Sequence, residues 1–266
     1  MRNPVARVLF LFLNQGMQLT LPFVMENRLA RAHELLSAAF GPVAATRRMD
    51  PVSQMVFAML SGRTRDGIAK SAFEGLANSF PTWEPVARMR AGDLLARIGQ
   101  TTFPEKKAFY VPSALQAIMR RRQRLDLDFL GNRPVEAAQT WLESLPGIGP
   151  KASTAVLNFS TLHRRVLCVD TTHYRVAMRF GLVPPGTPHK LASRLLNQLV
   201  PDQWSADDTE THHILMQFLG RVFCTAGRPR CAPCPLRLMC PTANSSAVAP
   251  LSAFSPQAFH PDRQGG

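Results

Sequence analysis

Lys151 closes the run Leu145-Pro146-Gly147-Ile148-Gly149-Pro150-Lys151, a primary amine set where a helix should begin. Gly147 and Gly149 are free to take φ > 0 and to let another backbone approach closely. Pro150 suits the first helical position, where a missing N–H is harmless. The unpaired N–H groups of that helix start point outward, ready for a phosphate. The positive end of the helix dipole disfavours an ammonium, which favours the neutral and nucleophilic amine. The lysines are Lys70, Lys106, Lys107, Lys151 and Lys190 alone, in a chain with 31 Lys and Arg together. Arginine supplies charge equally well but no amine nucleophile. The plainer alternative makes Lys151 a surface cation beside a structural turn.

Four of the five cysteines fall within one short stretch, Cys224-x6-Cys231-x2-Cys234-x5-Cys240. A disulfide framework would be spread through a small secreted domain, so a local cluster indicates metal. Zinc sites commonly use two short pairs of ligands. Four thiolates at uneven spacing, in a loop held by Pro229, Pro233, Pro235 and Pro241, suit an iron–sulfur cubane better, with zinc the alternative. Cys168, in Val166-Leu167-Cys168-Val169, has the setting of a buried thiol.

The elements that must position these groups are helical. Residues 26–40 carry Leu29, Leu36 and Phe40 on one stripe. Asp50-Pro51 is an N-cap and first-turn proline, and Val52, Met55, Val56, Met59 and Leu60 follow at core-facing helical spacing. Further helices are expected over 66–79, 93–98, 104–122 (bent near Pro112), 135–145, 150–159, 171–180, 190–199 and 207–223. That makes about ten, with no alternating β pattern of useful length, and the fold class is all-α. The last helix delivers Cys224 to the metal loop. Asp170 precedes the helix from Thr171 as either a cap or a catalytic carboxylate. Residues 242–266 are rich in Ser, Ala and Pro and are expected to be disordered.

With 266 residues, a formal net charge of +13 and a pI near 10.7, the chain calls for an anionic partner, most simply nucleic acid. The basic run Arg120-Arg121-Arg122 fits a DNA contact or a solvated helix end. No apolar run approaches the roughly 20 residues of a membrane span, so no membrane partner is expected. Residues 1–24 read as an N-terminal extension, with Met25 the expected natural start, and the cytoplasm, on the nucleoid, is the expected location.

Together, Leu145 to Ala152, Val169-Asp170-Thr171, His212-His213 to Arg221 and the four cysteines resemble endonuclease III of the helix-hairpin-helix DNA glycosylase superfamily, over roughly residues 26–241. The resemblance implies two helical lobes with a DNA-binding cleft between them. A six-helix lobe with the helix-hairpin-helix would span 46–163. An iron–sulfur lobe would span 25–45 and 164–241 and hold a [4Fe–4S] cluster on Cys224, Cys231, Cys234 and Cys240. It implies Lys151 as a Schiff-base nucleophile and Asp170 as an essential carboxylate. The partner would be double-stranded DNA with damaged or abasic sites, bound by a monomer. Gly147, Gly149 and Pro150 would hold phosphate. Arg63 would stand where relatives carry a Gln that fills the gap left by a flipped base, with Gln100 and Phe103 in the loop beside it.

Four departures bear on this. The stretch from Lys151 to Asp170 is one residue longer than usual. His173 is out of step in Thr172-His173-Tyr174. Arg63 replaces the Gln, and the loop after Gly99 is longer. The last two border the lesion and leave its identity open. The expected activity is a bifunctional glycosylase and abasic-site lyase. The alternatives are a monofunctional mismatch glycosylase, whose kind put Ser or Tyr in place of Lys151, and a non-catalytic iron–sulfur DNA-binding protein.

Overall fold

The carboxylate of Asp50 accepts the backbone N–H groups of Val52 at 3.0 Å and Ser53 at 2.9 Å, and Pro51 fills the first helical position behind it. Asp170 and Ser205 cap later helices with their side chains in the same way, and Pro104 and Pro150 fill first helical positions elsewhere. In the computed structural model, residues 22–44 and 47–245 are described. They form α1 (Pro22–Phe40), α2 (Pro51–Ser61), α3 (Asp66–Ser79), α4 (Glu84–Ala87), α5 (Ala91–Ile98), α6 (Pro104–Arg122), α7 (Val135–Glu143), α8 (Pro150–Phe159), α9 (Thr171–Phe180), α10 (His189–Gln198), α11 (Ala206–Val222) and α12 (Pro241–Ser245). Two 3-10 turns, Asp128–Asn132 and Arg237–Met239, complete the list. Among the described residues there is no strand, only an isolated bridge between Met49 and Ser160, and the fold is all-α as expected. No helix among them is long and apolar enough to cross a membrane.

Two helices go beyond the expected ten. Glu84–Ala87 is a single turn that periodicity cannot reveal. Pro241–Ser245 corrects the disordered tail expected from residue 242: Thr242 Oγ1 donates to the Arg179 carbonyl at 2.7 Å and Ala243 is buried. The rest of that tail, 246–266, lies outside the described residues, as does the extension over 1–21. Pro112 does not interrupt α6, which runs unbroken to Arg122.

Two hydrophobic cores define two lobes. The first gathers Met55, Val56 and Leu60 of α2, Leu94 and Ile98 of α5, Leu115 and Ile118 of α6, Leu142 of α7, and Val156 and Leu157 of α8. The second gathers Leu29 and Leu36 of α1, Val176 and Phe180 of α9, Leu196 of α10, and Leu215 and Leu219 of α11. The chain passes from one to the other at Leu167 and Cys168, whose side chains enter the second and first core respectively. Asn158 on α8 stitches the lobes, donating to the Thr209 hydroxyl at 3.1 Å and the Ala206 carbonyl at 3.0 Å. Gly220 lets α11 press on α9: a Cβ there would meet Thr172 Cγ2 at 2.3 Å.

Candidate active site

The hairpin between α7 and α8 is pinned from within the first core. Leu145 and Ile148 are buried, and the Ile148 N–H reaches the Leu145 carbonyl at 3.3 Å. Gly147 has φ 76, and a Cβ on it would sit 2.7 Å from Tyr110 Cβ, so glycine is required there. Gly149 corrects the expectation of a second left-handed glycine. Its φ is −112°, ordinary extended backbone, and a Cβ on it would meet nothing within 4 Å. The space over Gly149 is therefore open to a partner. Pro150 is the first residue of α8, as expected.

Lys151 follows on the same helix start, half-buried, and its Nζ donates to Ser61 Oγ at 3.1 Å. The Cys168 thiol donates to the Lys151 carbonyl at 3.6 Å. Asp170 caps α9 from the other lobe, one oxygen accepting the His173 N–H at 2.7 Å and the other the Gln217 side-chain amide. Burial works against the Asp170 carboxylate. The His213 ring, the His173 N–H and ring, and Gln217 outweigh it, and the carboxyl is held below its ordinary range. Cys168 links the two helix starts: its thiol reaches the Lys151 carbonyl, and Asp170 stands two residues beyond it in the chain. One helix start carries an amine and the other a carboxylate.

Behind Asp170 lies a row of imidazoles. His213 Nδ1 pairs with the Cys168 carbonyl at 2.7 Å. The His173 ring lies 6.0 Å from His213 and 5.4 Å from His212, and His212 lies 5.7 Å from His33. His173 and His212 are fully buried with neither ring nitrogen hydrogen-bonded. Burial lowers the pKa of all four imidazoles, driving His173 down to about 3.

Two residues beyond Ser61, Arg63 stands exposed on a loop adjoining that of the exposed Phe103, both residues with left-handed backbone (φ 58 and φ 55). The Arg63 guanidinium carbon is 5.8 Å from the Phe103 ring centroid. Gln100 is exposed in the turn that leads into Phe103.

The four cysteines of the C-terminal loop are half-buried, free thiols. Four thiols gathered on one short loop are a donor set that fits an iron–sulfur cluster. Burial, with the neighbouring sulfurs adding to it, pushes the Cys234 thiol up to about 12, so this sulfur becomes thiolate only beside strong positive charge. Helix α9 anchors the loop: Arg175 Nε donates to the Cys224 carbonyl at 3.0 Å, and Arg179 Nη1 to the Thr225 carbonyl at 2.6 Å and to Cys224 Sγ at 3.5 Å.

Sequence reasoning passed over Ser61, Gln217 and His213. Gln217 had no distinct signal, since it shares a polar stripe of its helix with Glu210, His213 and Arg221. Ser61 had none, because its contact with Lys151 spans 90 residues.

The fold and site define a two-lobed helical protein that sets a lysine behind a glycine hairpin against a capping aspartate. A family profile described as HhH-GPD superfamily base excision DNA repair protein matches residues 56–202, and the chain belongs to that family. Within it the chain is endonuclease III-like. Endonuclease III homolog 1, chloroplastic, of Arabidopsis thaliana is 30% identical over 198 residues, covering 73% of this chain and 50% of that protein. Endonuclease III of Rickettsia felis is 27% identical over 195 residues, covering 73% and 84%. The chain thus spans about half the length of the plant relative. The fold matches a trapped endonuclease III–DNA covalent intermediate with TM-score 0.69 at 20% identity, over 82% of this chain and 97% of that one. It also matches a thermostable thymine-DNA glycosylase with TM-score 0.67 at 15% identity, over 83% and 98%.

Proposed function

We propose that the protein is a bifunctional DNA glycosylase and abasic-site lyase acting on damaged double-stranded DNA. The carrying observation is that Lys151 and Asp170 each stand at a helix start and that Cys168, two residues before Asp170, holds the Lys151 carbonyl. A target base inside a duplex is unreachable until it is flipped from the stack. The Lys151 amine, as the neutral base, attacks C1′ of the extruded nucleotide, and the C1′–N bond breaks with its electron pair leaving on the base. Asp170, ionised at neutral pH, faces the positive charge that develops on the sugar, as glycosidase carboxylates do. The nitrogen then loses a proton and its lone pair expels O4′, the C1′–O4′ bond breaking and O4′ taking up a proton, to give a protonated imine between Lys151 and C1′. That imine acidifies C2′, and loss of the C2′ proton expels the 3′ phosphate by β-elimination.

DNA would lie across the cleft, with phosphate at Gly147, Gly149 and Pro150. Arg63 would enter the gap beside Phe103, with Gln100 on the same rim. Cys224, Cys231, Cys234 and Cys240 would hold a [4Fe–4S] cluster. When bound, it supplies a rigid cross-link for the loop that presents the exposed Arg228, Arg230 and Arg237. The protein would work as a monomer, in the compartment that holds the DNA.

A monofunctional glycosylase is the second reading, favoured by the structural likeness to a thymine-DNA glycosylase. A duplex with a preformed abasic site separates them. The bifunctional reading expects a cut strand bearing an unsaturated aldehyde at its 3′ end, without alkali. A preformed abasic strand left intact until alkali treatment would rule out the lyase, and release of the base from a damaged or mismatched duplex would then establish the monofunctional reading.

A further inference from the structure

Lys107 is a buried amine for which the chemistry above has no use. It leaves the first turn of α6, is 8% exposed, and donates to the Leu60 carbonyl at 2.6 Å and to Thr64 Oγ1 at 2.5 Å. Thr64 Oγ1 also accepts the Thr102 N–H at 3.1 Å. One ammonium therefore joins three pieces of chain: the C-terminal end of α2, the turn through Thr64, and the loop through Thr102. Thr101, next in that loop, is itself buried and returns its hydroxyl to the Ile98 carbonyl at 2.8 Å.

Two residues flank this joint, Arg63 before Thr64 and Phe103 after Thr102. Both are non-glycine residues in left-handed backbone, a conformation that persists only where the surroundings over-determine it. Both side chains are exposed, Phe103 by 48%, yet the guanidinium and ring face each other, and Lys106 Nζ lies 5.6 Å from the same ring. The hydrogen bonds beneath them hold the two loops in this register.

We propose that Lys107 is the positioning residue of the wedge that enters the DNA. It ties Arg63 and Phe103 into one preassembled unit and thereby sets how readily a base is driven from the stack, with no part in bond breaking. The inference rests on the DNA-repair reading above. It makes the joint sensitive to charge. Burial, with the Lys151 charge adding to it, brings the Lys107 amine down to about 8. The other ionisable groups flanking the joint, Arg63, Arg65, Glu105 and Lys106, are exposed. Loss of the Lys107 charge turns two charge-assisted hydrogen bonds into neutral ones of roughly half the strength.

The test uses the full chain at saturating concentration on a duplex carrying a tetrahydrofuran abasic analogue opposite 2-aminopurine, whose fluorescence rises when the base is unstacked. The parent should give a rise that declines as pH passes through about 8. Lys107→Met should give a rise at least fivefold smaller and flat with pH, while cleaving a preformed natural abasic site within threefold of the parent rate. Thr64→Val cuts the same joint without touching the amine and should lower the rise likewise, which keeps the test decisive if Lys107→Met fails to fold. A parental rise and pH profile in the folded Lys107→Met protein, or an unaltered rise in Thr64→Val, would overturn the proposal. A parent that unstacks 2-aminopurine but does not cut the natural abasic site would instead overturn the lyase reading alone.

Discussion

The side-chain amide of Gln217 on α11 donates to one carboxylate oxygen of Asp170, 47 residues away, while the backbone of His173 donates to the other. Asp170 is thus capped and aimed by the same contacts. Asp170→Asn keeps the shape and most of the capping but removes the charge, so base excision should fall by about 10²–10³-fold, the usual scale for losing one preorganised electrostatic group. Gln217→Leu removes a hydrogen bond to a charged group, worth about 1.5–3 kcal/mol. It should cost about tenfold or somewhat more and move the acid limb of the pH–rate profile to higher pH, because a contact that lowers the Asp170 pKa has gone. Single-turnover rates across pH check both, and an unmoved acid limb in Gln217→Leu would separate that limb from Asp170.

The two hairpin glycines should respond in opposite ways. Gly147→Ala forces a side chain into φ 76 and into Tyr110, so the melting temperature should drop by several degrees. Gly149→Ala meets nothing within the protein and should leave the melting temperature unchanged, while weakening binding to abasic and undamaged duplex alike. Parental affinity in Gly149→Ala would move the phosphate site away from the hairpin.

The imidazole row makes stability fall on acidification. His173, His212, His213 and His33 all have folded-state pKa values lowered chiefly by burial, so the unfolded chain takes up protons first. Their contribution is fully present above the unfolded value of 6.5 and is lost as pH falls, down to about 3 for His173. Each fully buried ring costs about 1.4 kcal/mol per pH unit in that window. Urea melts at pH 7, 6 and 5 should show this decline, and His212→Phe should make it shallower by about one proton. A constant stability between pH 7 and 5 would contradict the neutral row.

For the metal loop, purified protein should be coloured, with about four irons per chain and little zinc. Cys168→Ser should keep the iron, since that thiol lies in the first core, and Cys231→Ser should lose it together with soluble protein. Colourless protein with stoichiometric zinc would replace the cluster by a mononuclear site.

The helices were legible because their signals are local. Asp50-Pro51, the stripe from Val52 to Leu60 and the glycine hairpin each declare themselves within a few residues. The turn at Glu84 and the helix at Pro241 escaped because each is about one turn long, too short for periodicity. Lys151 and Asp170 were legible from type and placement. Their partners Ser61 and Gln217, and the buried Lys107 beneath the Arg63 and Phe103 loops, were not, since what makes each matter is a tertiary contact. Gly149 was misread for a related reason: sequence allows glycine a positive φ, but the approach of a partner can require glycine without it.

The central claim is that Lys151 is the amine that bonds to DNA, and borohydride reduction tests it most directly. With a duplex carrying a natural abasic site, the parent should be captured as a covalent protein–DNA adduct. Lys151→Gln should bind the same duplex with parental affinity and give no adduct. Lys151→Arg should give none either, since its guanidinium stays protonated. Efficient trapping by Lys151→Gln would show that another amine, such as Lys107 or Lys190, carries the chemistry and would contradict the account.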